Sequence, residues 1–238
     1  MFQKTKQKLI KNNQIGKYLR YALGEIILVM LGILLALQVN NRNENGKDRE
    51  KEKVILSELN KDFEQNLQRF KEIKQMQFNT YNSGVIVFRN LDKLHIPASR
   101  DSVYRYVTGM FGGYSYYPSN GVVESLINSG EIRLIKNDTL RNYLVSWKDV
   151  LNDYTERVDI DIKFWSNQIE PYVIEHGNFY HVDTDENKSL VEDREFINML
   201  VRKQHYNRNL VSAIQNEDGI ERYMNEIIRL TQVQNDKK

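Results

Sequence analysis

The sequence predicts an all-α protein, with one N-terminal transmembrane helix followed by an extracytoplasmic bundle of long helices. Two observations carry that expectation. Only three prolines and 12 glycines occur in 238 residues, too few for a chain rich in strands and tight turns. Apolar residues recur at spacings of three and four over long, otherwise polar stretches, the period of an amphipathic helix. Four segments follow: a basic cytoplasmic tail (1–20), a transmembrane helix (21–39), a charged linker (40–53) and a helical extracytoplasmic domain (54–238).

The membrane helix is read from "YALGEIILVMLGILLALQV", which is 19 residues, about 28 Å as a helix against a hydrocarbon core of about 30 Å. Ile26 to Leu37 is apolar without a break, so no polar face is left for water. A cleaved signal peptide needs small residues at its cleavage site, and "LLALQVNNRN" offers Ala36 alone. The segment therefore reads as an uncleaved signal anchor. Glu25 lies about one turn inside it, close enough to the end for its carboxylate to reach headgroups. Gly32 and Ala36 form a small-xxx-small pair on the same face as Glu25, a surface against which a second helix could pack.

Orientation rests on the flanking cations. Five Lys or Arg precede the span (6–20) and five follow it (40–54), but Glu44, Asp48, Glu50 and Glu52 accompany only the second set. The undiluted first set places the N-terminus in the cytoplasm. The expected address is the bacterial inner membrane, single-pass, with the C-terminal domain in the periplasm.

Within the domain, Leu56, Leu59, Phe63, Leu67, Phe70 and Ile73 mark a first helix from about Asp48 to Leu91. Pro97 should end it, with Ser99 or Asp101 capping a short helix over 101–111. "GGYSYYPSN" reads as a loop. Ser119 or Asn120 should cap the next short helix, Gly130 should close it with a positive φ, and Asn137 should cap a long one. That long helix carries Leu140, Leu144, Trp147, Leu151, Tyr154, Val158 and Trp165, with Asp161 breaking the stripe, and is expected to run to Pro171. Such a seam belongs inside an antiparallel bundle or coiled coil, with both tryptophans in the core. The pair Ser189 and Glu192 forms a capping box for a last helix, which Gly219 could kink and whose final "NDKK" should fray.

Charge and motif content narrow the function. Residues 1–40 hold six basic groups and one acid, leaving 28 basic and 31 acidic groups for the rest. A mildly acidic domain lacks the footprint of a nucleic-acid binder. With no cysteine, disulfides, thiolate metal sites and cysteine nucleophiles are excluded. His95, His176, His181 and His205 show no close metal spacing; His176 and His181 with Glu175 and Asp183 read as a polar loop. "DTDENKSLVEDR" starts like a calcium loop at Asp183, but Lys188 stands where Gly is required and Arg194 where the bidentate Glu belongs. No phosphate loop, dinucleotide fingerprint or GxSxG occurs, so no enzyme activity, cofactor or metal is expected. The aromatic run Tyr104, Tyr106, Phe111, Tyr114, Tyr116 and Tyr117 is the one candidate binding surface, since Tyr offers apolar area with a hydrogen-bonding tip.

The segments "GKYLRYALGEIILVMLGILLALQVNNRNENGKDREKE" and "VESLINSGEIRLIKNDTLRNYL" resemble a family of uncharacterised bacterial single-span membrane proteins, a domain of unknown function common in Bacteroidota. The resemblance implies a short cytoplasmic tail, one span and a helical extracytoplasmic domain. It brings no activity and no catalytic residue. The expected role is a membrane-anchored, non-enzymatic interaction or scaffold protein. The alternative is an extracytoplasmic sensor that binds a ligand near Tyr104–Tyr117 and acts through a partner. Expected partners are the lipid bilayer, an unidentified protein and a second copy through the membrane helix or the long helices.

Overall fold

The computed structural model describes residues 14–181, 183–216 and 219–232, and among them every regular element is helical. The tail cations Lys4, Lys6, Lys8 and Lys11 and the C-terminal "NDKK" lie outside the described residues. The chain divides into two compact units, residues 1–53 and 54–238.

The described part of the first unit is all helix and belongs to α1 (Gln14–Asn90). Its most apolar 18-residue window has a mean hydropathy of 2.4, and none of that window is buried. It is long and apolar enough to cross a bilayer. Every residue from Gly16 to Lys47 is exposed, including Glu25, Gly32 and Ala36. The stretch 40–53, expected as a linker between helices, is helical throughout. Lys and Glu are good helix formers, and Glu44–Lys47 (3.2 Å) and Glu50–Lys53 (2.9 Å) add i,i+3 ion pairs. Gly46 costs the helix about 1 kcal/mol, which these neighbours offset.

In the second unit α1 ends at Asn90, short of the expected Leu91, and a 3-10 turn follows (Leu91–Lys93). Pro97 opens the next helix instead of ending the previous one. It occupies the first turn of α2 (Pro97–Tyr106), where its missing N–H is not needed, and Ile96 rather than Ser99 or Asp101 is the cap residue. After a 3-10 turn at Thr108–Met110 comes an irregular stretch through Asn120. α3 (Gly121–Ser129) follows, but the side chain of its cap residue Asn120 bonds none of its amides. The Asn120 side-chain oxygen accepts instead from Trp147 Nε1 at 2.8 Å, which satisfies a buried indole. Gly130 closes α3 at φ 74°, and Asn137 caps α4 (Asp138–Phe164) by accepting from the Leu140 amide.

The long helix does not run unchanged to Pro171. A π turn (Trp165–Ile169) intervenes, and α5 (Glu170–His176) carries Pro171 in its first turn. Proline has no N–H and its ring collides with the carbonyl four residues back, so the turn widens until the Glu170 amide bonds Trp165 O. The expected box at Ser189 and Glu192 is also displaced. Thr184 caps a short α6 (Asp185–Leu190), and Asp193 caps α7 (Arg194–Gln215) by accepting from the amides of Glu195 and Phe196. Gly219 marks a full break before α8 (Ile220–Thr231), where a Cβ would lie 2.7–2.9 Å from three carbonyl oxygens.

α4 packs against α7 and α8. The main core is centred on Phe63, Phe70, Tyr116, Trp147 and Tyr154, whose rings meet edge to face at 4.9–5.7 Å. A second core gathers Val87, Val103, Met110, Ile169, Phe196 and Leu200. Between them along every long helix stand buried polar residues: Gln77 and Thr80 on α1, Asp161 on α4, and Lys203, Gln204 and Asn207 on α7. The cores follow one another in the same order along α1 and α4 and in reverse along α7, so α7 runs antiparallel to both. Asp161 does not break the stripe but sits on it, fully buried, with Lys203 Nζ at 2.5 and 2.6 Å from its two oxygens.

Candidate functional site

α2, the 3-10 turn behind it and the loop that follows form one wall of a cavity of about 710 Å³ in the second unit. This is within the range of small-molecule sites. The π turn, α5, α6 and the start of α7 form the rest, contributing Trp165, Val173, Leu190, Val191 and Phe196. Of the six aromatic residues picked out by sequence, Tyr104, Phe111 and Tyr114 line this cavity. The other three do not. Tyr106 is at the surface, Tyr117 is 78% exposed, and Tyr116 is a core residue whose hydroxyl donates to Asn66 O at 3.0 Å.

The loop is held in place by the polar layer beneath it. Asn207 Nδ2 donates to Met110 O (3.1 Å) and Gln77 Nε2 donates to Tyr114 O (3.2 Å), anchoring both ends of the cavity-lining stretch. Asn66 fixes the far end through a reciprocal pair with the Ser119 amide (2.9 Å) and Ser119 O (2.8 Å). Gly112 leaves room for the Tyr114 ring, whose atoms lie 2.6–2.8 Å from where a Cβ would stand. The Phe111 ring meets Trp165 at 4.8 Å and Phe196 at 6.4 Å, joining the loop to the opposite wall.

The charged and amide groups sit on α2, on the α5–α6 connection and on α6. Desolvation is the main reason the Tyr104 phenol is raised above its usual range, and its hydroxyl is able to donate. Lys188 pairs with Asp183 at 2.7 Å and lies 3.9 Å from Asp185; the hydrogen bond to Asp183 is the main reason its ammonium is held above the usual lysine range. Asp101 and Arg105 also line the cavity. The Asn187 side chain accepts from the Asn178 amide (2.7 Å) and donates to Asn178 O (2.8 Å) and His181 O (3.1 Å), which fixes the connection carrying the lining residue Phe179.

The stretch resembling a calcium loop is the start of α6, and its Lys188 is the partner of Asp183. Among the described residues no group of three His, Asp or Glu could hold a metal ion. Glu25, Gly32 and Ala36 belong to the first unit, where nothing lies within 4 Å of a Cβ built on Gly32. Sequence reasoning missed Arg105, Lys188, Phe179 and Phe196 as cavity residues; Trp165, expected in the core, packs against the second core and also lines the cavity. Asp101 and Arg105 did leave a signal, a charged pair four residues apart beside the aromatic run.

Fold and cavity define a protein that is helical throughout its described regular elements, with one long apolar, exposed helix and a helical domain that carries an aromatic-walled pocket open to the surface. The chain belongs to the family of unknown function DUF6090, which matches residues 25–207. No curated protein and no solved structure matches it.

Proposed function

We propose that this is a single-pass bacterial inner-membrane protein whose periplasmic domain binds a small, largely apolar ligand in the cavity beside Tyr104, Phe111 and Trp165, without catalysing a reaction, and passes the event to a partner protein. The observation that carries the reading is the cavity itself. Aromatic and aliphatic side chains make up much of its wall, and its charged groups are gathered on α2 and around the start of α6, a combination that holds an apolar ligand and orients its polar end. The exposed apolar helix supports the anchor; the flanking Lys and Arg counts tie, and only the set before the span is free of acids, which is the ground for a cytoplasmic N-terminus.

A scaffold role is the second reading. Ile174, Phe179 and Tyr180 favour it, being 65%, 57% and 88% exposed around the end of α5.

The test is thermal unfolding of the full chain in lipid nanodiscs against a broad metabolite set. A ligand at a hundred times its Kd adds about 2.7 kcal/mol, a rise of about 5–10 °C for a domain of this size. The rise should vanish in Phe111→Ala. A set without any stabiliser, or a rise that survives that substitution, would remove the ligand-binding reading and leave the scaffold one. For topology, a reporter active only outside the cytoplasm and fused after Lys238 should be active; silence would reverse the placement.

A further inference from the structure

We infer that the ligand is a zwitterion, an α-amino acid with a large apolar side chain, whose carboxylate meets Arg105 and whose ammonium meets Asp101. This rests on the reading of the cavity as a ligand site. Four charged residues line it: Asp101, Arg105, Asp183 and Lys188. Two of them are already satisfied by each other, since Lys188 holds Asp183 at 2.7 Å. The other two are not. Among the described residues neither Asp101 nor Arg105 makes an ion pair or a side-chain hydrogen bond, although they lie four positions apart on one helix.

Positions four apart on a helix place their Cβ atoms about 5–6 Å from each other, on one face. A ligand at this face therefore meets one free anion and one free cation a single turn apart. A simple anion at Arg105 would have the Asp101 carboxylate as a neighbour one turn away, and a simple cation at Asp101 would have the Arg105 guanidinium. Like charges that close repel, which offsets much of the attraction. A head group bearing both charges on one carbon turns both contacts favourable. The neighbouring Tyr104 hydroxyl adds a neutral donor.

Beyond the head group the walls are rings and aliphatic side chains. Phe111, Trp165 and Phe196 are already in mutual contact, so an apolar side chain entering among them loses its water and gains aromatic surface on several sides. Arg105 is suited to the carboxylate because its planar fork matches two oxygens at once.

The experiment is titration of the full chain in nanodiscs with L-phenylalanine, followed by tryptophan fluorescence, since Trp165 forms part of the wall and L-phenylalanine does not absorb at the excitation wavelength. Saturable binding is expected. N-acetyl-L-phenylalanine and L-phenylalaninamide, each lacking one charge, should bind at least about tenfold more weakly, as should L-phenylalanine to Asp101→Asn and to Arg105→Gln, both substitutions at the surface of α2. The uncharged 3-phenylpropanamide separates the two claims. If it binds as well as L-phenylalanine, or if Asp101→Asn leaves the Kd unchanged, the zwitterion is overturned and the cavity reading stands. If L-phenylalanine fails while the metabolite set yields a stabiliser of another class, the zwitterion alone is overturned. If that set yields nothing, both fall.

Discussion

Asp161 and Lys203 show how much one side chain can change the reading of a helix. Both are fully buried, and burial pushes the Asp161 carboxyl up and the Lys203 ammonium down, while their contact pulls each back towards the charged form. Removing one partner strands a buried charge, so Asp161→Ala should cost about 3–5 kcal/mol in chemical denaturation. The double variant Asp161→Leu with Lys203→Met should recover most of that loss. A single substitution that costs no more than a surface change would mean the pair is not closed. In the sequence Asp161 was visible only as an interruption, because its partner lies 42 residues further on. A pattern counted along one helix sees an acid among apolar residues. It cannot see the lysine that arrives from another helix to neutralise it.

Helix starts and stops were legible where the signal is local, and only there. Asn137 and Gly130 do what their types favour, a side-chain oxygen on a free amide and a backbone in the left-handed region. Asn120 had the same local credentials, but a tertiary contact took its oxygen for Trp147. Pro97 and Pro171 were read as stops, and both instead stand in first turns, where a missing N–H is harmless. The start of α7 moved from Ser189 to Asp193, whose carboxylate serves two amides and accepts from Tyr172 at 2.8 Å. Those bonds, first of all that from the Phe196 amide, hold the Asp193 carboxyl below the usual aspartate range. Its folded pKa is depressed, so the stabilisation it gives is present above about pH 4 and is lost as the pH falls through the folded value. Hydrogen exchange at the Glu195 and Phe196 amides should accelerate, beyond its intrinsic pH dependence, on going below that point, and Asp193→Asn should remove most of this extra acceleration. Equal acid sensitivity in the variant would assign the effect elsewhere.

At the scale of the molecule, hydrophobic pattern alone set out an all-helical chain with an apolar helix at the front, since both are properties of local composition. The linker at 40–53 was misread because charge density marks solvent exposure, and an exposed helix and an exposed linker share that mark. The cavity was half legible. Its α2 wall and loop lie within 14 residues of sequence, from Asp101 to Tyr114, whereas Trp165, Lys188 and Phe196 come from elements that only folding brings together. The layer of Gln77, Asp161, Lys203 and Asn207 joins these levels. It separates the two apolar cores and, through Asn207 and Gln77, holds the loop that carries Phe111 and Tyr114.

That the domain encloses a ligand is tested most directly by native mass spectrometry of the full chain, released from nanodiscs after incubation with a cell's small-molecule extract. Val107→Trp serves as the comparison because it fills the space beside Phe111. The wild-type chain should carry one small molecule per copy, and the filled variant should carry none while keeping its helical circular dichroism. An adduct retained in equal amount by Val107→Trp, or no adduct on either chain, would contradict the account.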